Sequence, residues 1–390
     1  MKKAFNFSIY LLYFATPFES VGIIPGISVV KLVTFIFLFF SLNHYLKSPI
    51  KIYPFVRFAF YYTFFAMISI VWSIDIETTF FSSYGTLLPT FIVTVFLLNG
   101  IDKKEQIVKI FKSYSIGSVV ISLYSLYLYF TEFRFLLYGN ARVTVLGQDQ
   151  NELSFLLTFG IICLLYLFQF EKVSRKLKLI ILACIVLMIF TILSTGSRTG
   201  FIILLFTGLV FIAMNFKGSK IFVLIPSIIG LSIYLFLSLP ESIYLRLLET
   251  STQIESGDFT NRETIWKEGF NAFIDSGRFL YGIGHNTFRT LLYNATGSGR
   301  AGHNTYLLIL IQLGLIGFVL YMRILLYLLR KVWILVRRDS LFYSLLIIPL
   351  LLAMLTLGLE NRRWLFMIGV IIIKLVDFGN SNKNQQLNRL

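Results

Sequence analysis

The sequence is poor in charged residues for a chain of its length. Of 390 residues only 14% are charged, whereas 57% are hydrophobic, and the mean hydropathy is +0.79. This composition excludes a water-soluble fold of such size. It indicates an all-α, polytopic membrane protein.

Cysteine and histidine are scarce as well. Cys163 and Cys184 both lie inside apolar runs, so the sequence offers no disulfide framework. Of the three histidines, His44 falls in a lysine-rich connection, and His285 and His303 share one long polar segment. No cluster of residues has the spacing of metal ligands, so neither a metal nor a cofactor is expected.

Long apolar runs, by contrast, are abundant. A helix that crosses the hydrocarbon needs about 20 mostly apolar residues. Twelve runs meet this description, near residues 5–20, 25–44, 55–74, 82–100, 110–130, 151–170, 178–195, 199–216, 221–239, 303–321, 341–358 and 363–378. We therefore expect a single integral membrane domain over residues 1–390, with one large extracytoplasmic loop, residues 240–302, between spans nine and ten.

The basic residues are sorted between alternate connections. With the amino terminus in the cytoplasm, the inner connections are rich in lysine, while the outer ones hold ten arginines and only Lys31 and Lys267. The net charge of +16 is then mainly a signal of topology, and no nucleic-acid partner is expected. Arginine on the outer side suits phosphate, because the guanidinium group binds it in a bidentate geometry.

The outer loop has the pattern of an amphipathic helix followed by a glycine-rich stretch. Thr260 and Glu263 have the spacing of a capping box. The apolar face behind them consists of residues at helical spacing, namely Trp266, Phe270, Phe273 and Ile274. We expect this helix to lie on the membrane surface. The glycines between residues 277 and 302 suit a mobile lid that closes over a ligand, and the alternative is a plain flexible connector.

His303 stands at the entrance of the tenth apolar run. Asn304 or Thr305 is expected to cap the helix, and Gly314 and Gly317 to allow close contact by a neighbouring helix. Gly284-His285-Asn286-Thr287 repeats the four letters of residues 302–305, but no apolar run follows it. His303 is therefore the candidate for acid–base chemistry, with an interfacial anchor or capping role as the alternative.

Two arginines are candidates for binding an anion. Arg198 lies in a polar stretch, residues 194–200, which separates two apolar runs with almost no loop. A cation at the membrane edge needs a partner, either an anionic ligand or a distant carboxylate. Arg262 begins the amphipathic helix, where the helix amino terminus also attracts anions, or it is an exposed loop residue. Asp75 and Asp149, at the ends of apolar runs, are expected to cap helices rather than bind metal.

The order of these residues resembles a known family. Residues 303–317 contain His303-Asn304, then nine residues, then Gly314 and Gly317. This pattern is similar to the H-[NSQ]-x9-G-x-x-G signature of bacterial O-antigen ligases and the related Wzy-type O-antigen polymerases. Arg262 with Trp266, and Ser197-Arg198, fall in the expected order, and residues 72–75 and 147–151 are softer matches. The resemblance runs from about residue 70 to 370. One departure is Ile202, which stands where ligases have a leucine after the arginine.

The resemblance implies a GT-C-like fold and a metal-independent, inverting glycosyltransferase of the bacterial cytoplasmic (inner) membrane, with its active site on the periplasmic side. Its expected partners are an undecaprenyl-pyrophosphate-linked glycan, an acceptor glycan and membrane lipid, and a chain-length regulator protein is a further candidate. His303 would accept the proton of the acceptor hydroxyl. Arg198 and Arg262 would bind the pyrophosphate, with Asn304, Trp266, Gly314 and Gly317 in support.

Three activities fit this pattern. A polymerase transfers the glycan to another lipid-linked repeat unit, whereas a ligase transfers it to the lipid A core. The single large outer loop favours a ligase, and the inexact arginine pattern favours a polymerase, which we choose. A transporter or lipid-linked glycan flippase also suits many spans. However, the span centres are nearly free of charge and the two halves are unrelated, which is unlike a coupled carrier.

Overall fold

The computed structural model describes residues 2–19, 21–24, 27–46, 49–131, 149–215, 230 and 262–387. In these ranges the chain forms helices, short turns and one antiparallel hairpin, β1 (Gly22–Ile24) with β2 (Ile27–Ser28). Two compact units are present, and each combines segments that are far apart in the sequence. Unit 1 comprises Met1–Ser48, Gly100–Glu249 and Leu335–Pro349, and unit 2 comprises Pro49–Asn99, Thr250–Ile334 and Leu350–Leu390.

We number the helices of the described residues in chain order. They are α1 (Lys2–Ala15), α2 (Val29–Tyr45), α3 (Pro54–Ile68), α4 (Ile76–Ser82), α5 (Leu88–Gly100), α6 (Lys104–Thr131), α7 (Gln150–Phe170), α8 (Arg175–Ser194), α9 (Arg198–Asn215), α10 (Arg262–Asp275), α11 (Phe288–Thr296), α12 (Thr305–Arg338), α13 (Ile348–Met354) and α14 (Arg363–Leu387). Turns of 3-10 helix extend α1 (Thr16–Phe18) and α3 (Ser69–Trp72) and precede α13 (Leu341–Leu346). A π-helical turn, Ser83–Leu87, joins α4 to α5.

Seven helices in the described part of the chain are long and apolar enough to cross a membrane. They are Pro54–Trp72, Ile76–Gly100, Lys104–Thr131, Gln150–Phe170, Arg175–Ser194, Arg198–Asn215 and Thr305–Arg338. Val29–Tyr45 and Leu341–Met354 are apolar but shorter. The protein is thus a multi-pass membrane protein, and both the count of twelve spans and the orientation remain predictions. The ninth predicted span, 221–239, lies outside the described residues except for Gly230.

Unit 1 is built around α7. Nearly every side chain of this helix from Glu152 to Leu167 is buried, including Cys163, and α6, α8 and α9 pack against it. Small residues permit the closest approaches: Gly160 faces Ser118 of α6 with no room for a side chain. Such contacts let membrane helices pack backbone to backbone.

In unit 2, α12 contains a break at Gly314, whose φ of 63° and ψ of −169° are not helical. The loop before α11 lies along this break and replaces the missing helical hydrogen bonds. Four backbone bonds join the two segments: Ile283 N to Ile311 O (3.3 Å), Gly284 N to Gln312 O (2.9 Å), Leu315 N to Phe279 O (3.0 Å) and Ile316 N to Leu280 O (3.1 Å). The break is therefore part of the fold, because its polar groups are paired.

Glycine is required at both sides of this contact. A Cβ at Gly314 would lie 2.5 Å from the carbonyl carbon of Leu280, and one at Gly282 would lie 2.5 Å from the nitrogen of Gly314. We expected a neighbouring helix against Gly314 and Gly317. Instead, a loop contacts Gly314, and Gly317 lies against Leu313 of its own helix. Gly282 therefore serves a close backbone contact and not mobility.

The amphipathic helix α10 buries a different face from the one predicted. Its buried residues are Ile265, Gly269 and Phe273, whereas Phe270 and Ile274 are 37% and 48% exposed. The buried face differs from the predicted one because the Phe288 ring of α11 packs directly on Gly269. Glycine has no apolar side chain, so the pattern of apolar residues does not mark this position as buried. Phe273 then joins the cluster that includes Phe288 and Leu308.

We predict that Gly314→Ala destabilises the protein. Alanine would have to adopt a left-handed φ, which alone costs on the order of 1–3 kcal/mol, and its Cβ would meet the Leu280 backbone. The matched control is Gly208→Ala in α9, where a Cβ would have no neighbour within 4 Å. Thermal unfolding in detergent should show a lower melting temperature for the first variant alone. Equal melting temperatures would contradict the close contact.

Candidate functional site

Arg262 and the first residue of the helix that follows His303 contact the same segment of unit 2. Arg262 donates from Nη1 to the carbonyl of Thr356 (3.3 Å). Thr305, two residues after His303, donates to the carbonyl of Leu357 (2.6 Å) and accepts the N–H of Leu359 (2.9 Å). Residues 356–359 therefore connect the start of α10 with the start of α12.

A second set of contacts holds the residues that precede His303. The indole N–H of Trp266 donates to the carbonyl of Gly302, and Arg300 forms an ion pair with Glu268 at 2.7 Å. The ion pair is exposed to solvent, so it adds little stability. The Trp266 bond is half-buried and fixes the backbone immediately before His303. Trp266 thus contacts the backbone next to His303, and its supporting role in the site stays a prediction.

The backbone of His303 is itself unusual. Its φ of +46° lies in the left-handed region, which few residues other than glycine adopt. The next residue, Asn304, accepts the N–H of Leu307 at 3.1 Å, so the prediction that Asn304 caps the helix is confirmed. His303 is half-buried at this bend. A strained residue beside a capped helix is a reason to look for function there.

The other copy of the tetrapeptide GHNT, residues 284–287, has a structural role. His285 is completely buried, and its Nδ1 lies 2.8 Å from the hydroxyl of Ser83 in the π-helical turn. Its backbone N–H donates to Ser69 (3.1 Å), and its carbonyl accepts the hydroxyl of Thr79 (3.1 Å). Burial lowers the pKa of His285 to about 4, against a raising effect from the side chain of Asn361. The ring is therefore neutral near pH 7.

The two aspartates at the ends of apolar runs are helix caps, as predicted. Asp75 accepts the N–H of Thr78 (2.9 Å) and also the hydroxyl of Thr290 in α11 (2.8 Å). These bonds, led by the backbone N–H of Thr78, lower the pKa of Asp75. Asp149 accepts the N–H groups of Asn151 and Glu152 at 2.9 and 3.0 Å.

Arg198 belongs to unit 1 and is the first residue of α9. Only residues 195–197 separate it from the end of α8, which confirms the predicted absence of a loop. Arg262 and His303 belong to unit 2. A common site for all three residues therefore remains a prediction. Thr260, the first residue of the predicted capping box, lies outside the described part of the chain.

The segment that follows α13 was not predicted from the sequence. Glu360 and Arg363 are buried there, and the amide of Gln312 lies 3.5 Å from the Glu360 carboxylate. Burial raises the pKa of Glu360, while Gln312 and the charge of Arg362 act in the opposite direction. The signal was present as four polar residues, ENRR at 360–363, between two apolar runs.

We predict that His285 makes stability depend on pH. The unfolded chain binds a proton at a pKa of about 6.5 but the folded chain only at about 4, so the contribution of neutral His285 is complete above pH 6.5 and is lost as the pH falls towards 4. His285→Asn removes this dependence. The difference in unfolding free energy between wild type and variant should shrink by about 3 kcal/mol from pH 7 to 4. Parallel melting-temperature profiles over that range would contradict the assignment.

Comparison with known sequences gives one family. Residues 183–322 match the model of a protein family described as O-antigen ligase, and this stretch contains Arg198, Arg262 and His303. No curated protein matches the chain. The matched region runs from α8 through the first half of α12, so it covers the helix starts described above. Over residues 183–322 the chain is therefore similar to the O-antigen ligase/polymerase family.

Proposed function

We propose that the protein is an inverting, metal-independent glycosyltransferase that polymerises undecaprenyl-pyrophosphate-linked repeat units on the outer side of the cytoplasmic membrane. The observation that carries this proposal is the attachment of Arg262 and the His303 helix to one segment, residues 356–359. A general base and an anion-binding group at one place are what glycosyl transfer from a pyrophosphate requires.

In the proposed reaction the hydroxyl oxygen of the acceptor sugar attacks the anomeric carbon of the donor glycan. The bond between that carbon and the pyrophosphate oxygen breaks, its electron pair leaves with the pyrophosphate, and the configuration inverts. The proton of the hydroxyl passes to the imidazole of His303. Imidazole, with an ordinary pKa of about 6.5, accepts a proton near neutral pH.

The arginines act on the leaving group. As the glycosidic bond breaks, negative charge develops on the pyrophosphate, and a preorganised guanidinium stabilises this transition state more than the ground state. Arg198 is the first residue of α9. The partial positive charge of a helix amino terminus adds to that of its guanidinium, because backbone N–H groups there point outwards.

The outer loop supplies a lid in this proposal. Gly277 and Gly297 have positive φ angles of 67° and 72°, and a Cβ on either would have no neighbour within 4 Å. They are therefore better hinges than Gly282 and Gly302, which pack against backbone or rings. Movement about these two positions would admit a long glycan from the side.

The polymerase assignment is tested with the purified protein in proteoliposomes supplied only with lipid-linked repeat units. We expect a ladder of products, because each elongated chain is again a donor. A ligase would give no ladder and would transfer glycan only when lipid A core is added. A flippase or transporter would move the substrate across the bilayer without forming a glycosidic bond, and that outcome would overturn the assignment as an enzyme.

We predict that His303→Ala lowers turnover by at least about a hundredfold, the usual contribution of a general base. The melting temperature should change little, since the cap of α12 is formed by Asn304 and not by His303. His303→Gln, which keeps hydrogen bonding without an effective base, should be equally impaired. A folded His303→Ala variant with nearly normal turnover in the same assay would reject the base assignment.

A further inference from the structure

A polar contact in unit 1 joins the first turn of α7 to the first turn of α9. The hydroxyl of Ser197 donates to Oδ1 of Asn151 at 2.7 Å. The same hydroxyl accepts the N–H of Gly200 at 3.0 Å, so it also caps α9. Arg198 follows Ser197 directly in the sequence and precedes Gly200. The side chain of Asn151 is therefore linked through one hydroxyl to the helix turn from which Arg198 extends.

A second bond, one helical turn further along α7, holds the same connection. The hydroxyls of Ser154 and Thr195 are 2.8 Å apart, and the Thr195 hydroxyl accepts the N–H of Ser197 at 3.2 Å. Residues 151 and 154 share one face of α7 because helix neighbours are three or four positions apart. Gly200 completes the contact, since a Cβ there would lie 2.8 Å from the Ser154 hydroxyl.

These groups are shielded from water. Ser197 is 3% exposed, and Ser154 and Thr195 are not exposed at all. A buried hydroxyl that loses its acceptor finds no water to replace it, so its hydrogen bonds are costly to remove. The backbone of Asn151 is fixed in turn by the Asp149 cap, which accepts its N–H at 2.9 Å. The contact is thus rigid from the α7 cap to the start of α9.

We propose that Asn151 is a positioning residue for Arg198, a role that rests on the proposed function of Arg198 in binding the pyrophosphate. Asn151 fixes Ser197, Ser197 fixes the first turn of α9, and the guanidinium is thereby held where negative charge develops on the leaving group. A displacement of about 1 Å in such a group lowers turnover by up to about a hundredfold. In this proposal Asn151 acts through the first turn of α9.

The chain offers a matched control. Asn215, the last residue of α9, donates to Gln169 near the end of α7 at 3.5 Å. Asn215→Ala therefore removes an amide contact between the same two helices at their opposite ends. If Asn151 merely holds α7 and α9 together, the two alanine variants should behave alike. If Asn151 positions Arg198, only Asn151→Ala should change the chemical reactivity of Arg198.

The first experiment needs no substrate. In Ser197→Ala, hydrogen exchange of the Gly200 amide should be about tenfold faster or more, because the capping hydroxyl is removed. Exchange should also be faster in Asn151→Ala, because the Ser197 hydroxyl loses the acceptor that orients it towards the Gly200 amide. The rate at which an arginine-specific dicarbonyl reagent modifies Arg198, followed by mass spectrometry, should change as well. Asn151→Asp and Ser197→Thr, which keep the acceptor oxygen and the hydroxyl, should resemble wild type, as should Asn215→Ala. Unchanged exchange and reactivity in Asn151→Ala would overturn the proposal even if the protein is a glycosyltransferase.

The second experiment is a double-mutant cycle measured by elongation of lipid-linked repeats. Asn151→Ala alone should lower kcat by about tenfold or more, with a smaller change in KM, since the effect is on the transition state. In an Arg198→Lys background the same substitution should change kcat less than about twofold, because the geometry it maintains is already lost. Additive losses would overturn the positioning role. If wild type forms no glycosidic bond, the proposed function fails, while the exchange and reactivity results still decide whether Asn151 positions Arg198.

Discussion

The fold of unit 2 depends on one constraint: polar backbone groups in apolar surroundings have to be hydrogen-bonded. The break at Gly314 frees such groups in the middle of a membrane helix, and residues 279–284 pair with them. This pairing brings a loop into backbone contact with α12. His285 and α11 follow directly from that loop, so their places depend on the same contact.

The two identical GHNT tetrapeptides, residues 284–287 and 302–305, lie in different environments because of this contact. His285 follows the paired loop and is buried against the π-helical turn, where it is neutral and inaccessible. His303 comes before the helix, is only half-buried, and has a backbone bend that Trp266 and Thr305 hold from both sides. His285 is therefore part of the buried interior, whereas His303 stays partly accessible.

Several arginines of the described residues lie at helix starts. Arg198 and Arg363 each begin a helix, where the helix dipole favours an anion beside them. At α9, the neutral side chains of Ser197 and Asn151 form hydrogen bonds at the turn that carries Arg198. Neutral groups fix a helix start without adding charge to it. That arrangement suits the pyrophosphate-binding role that we propose for Arg198.

The sequence by itself determined the membrane class, the helix starts at Arg198, Arg262 and Thr305, and the caps at Asp75, Asp149 and Asn304, because hydropathy and capping are local properties. Only the tertiary structure decided that Gly282 and Gly314 face each other, that Gly269 moves the buried face of α10, and that residues 356–359 join Arg262 to the His303 helix. These contacts link residues tens of positions apart. No local pattern encodes them, because a glycine that permits a close approach carries no side chain to reveal its partner.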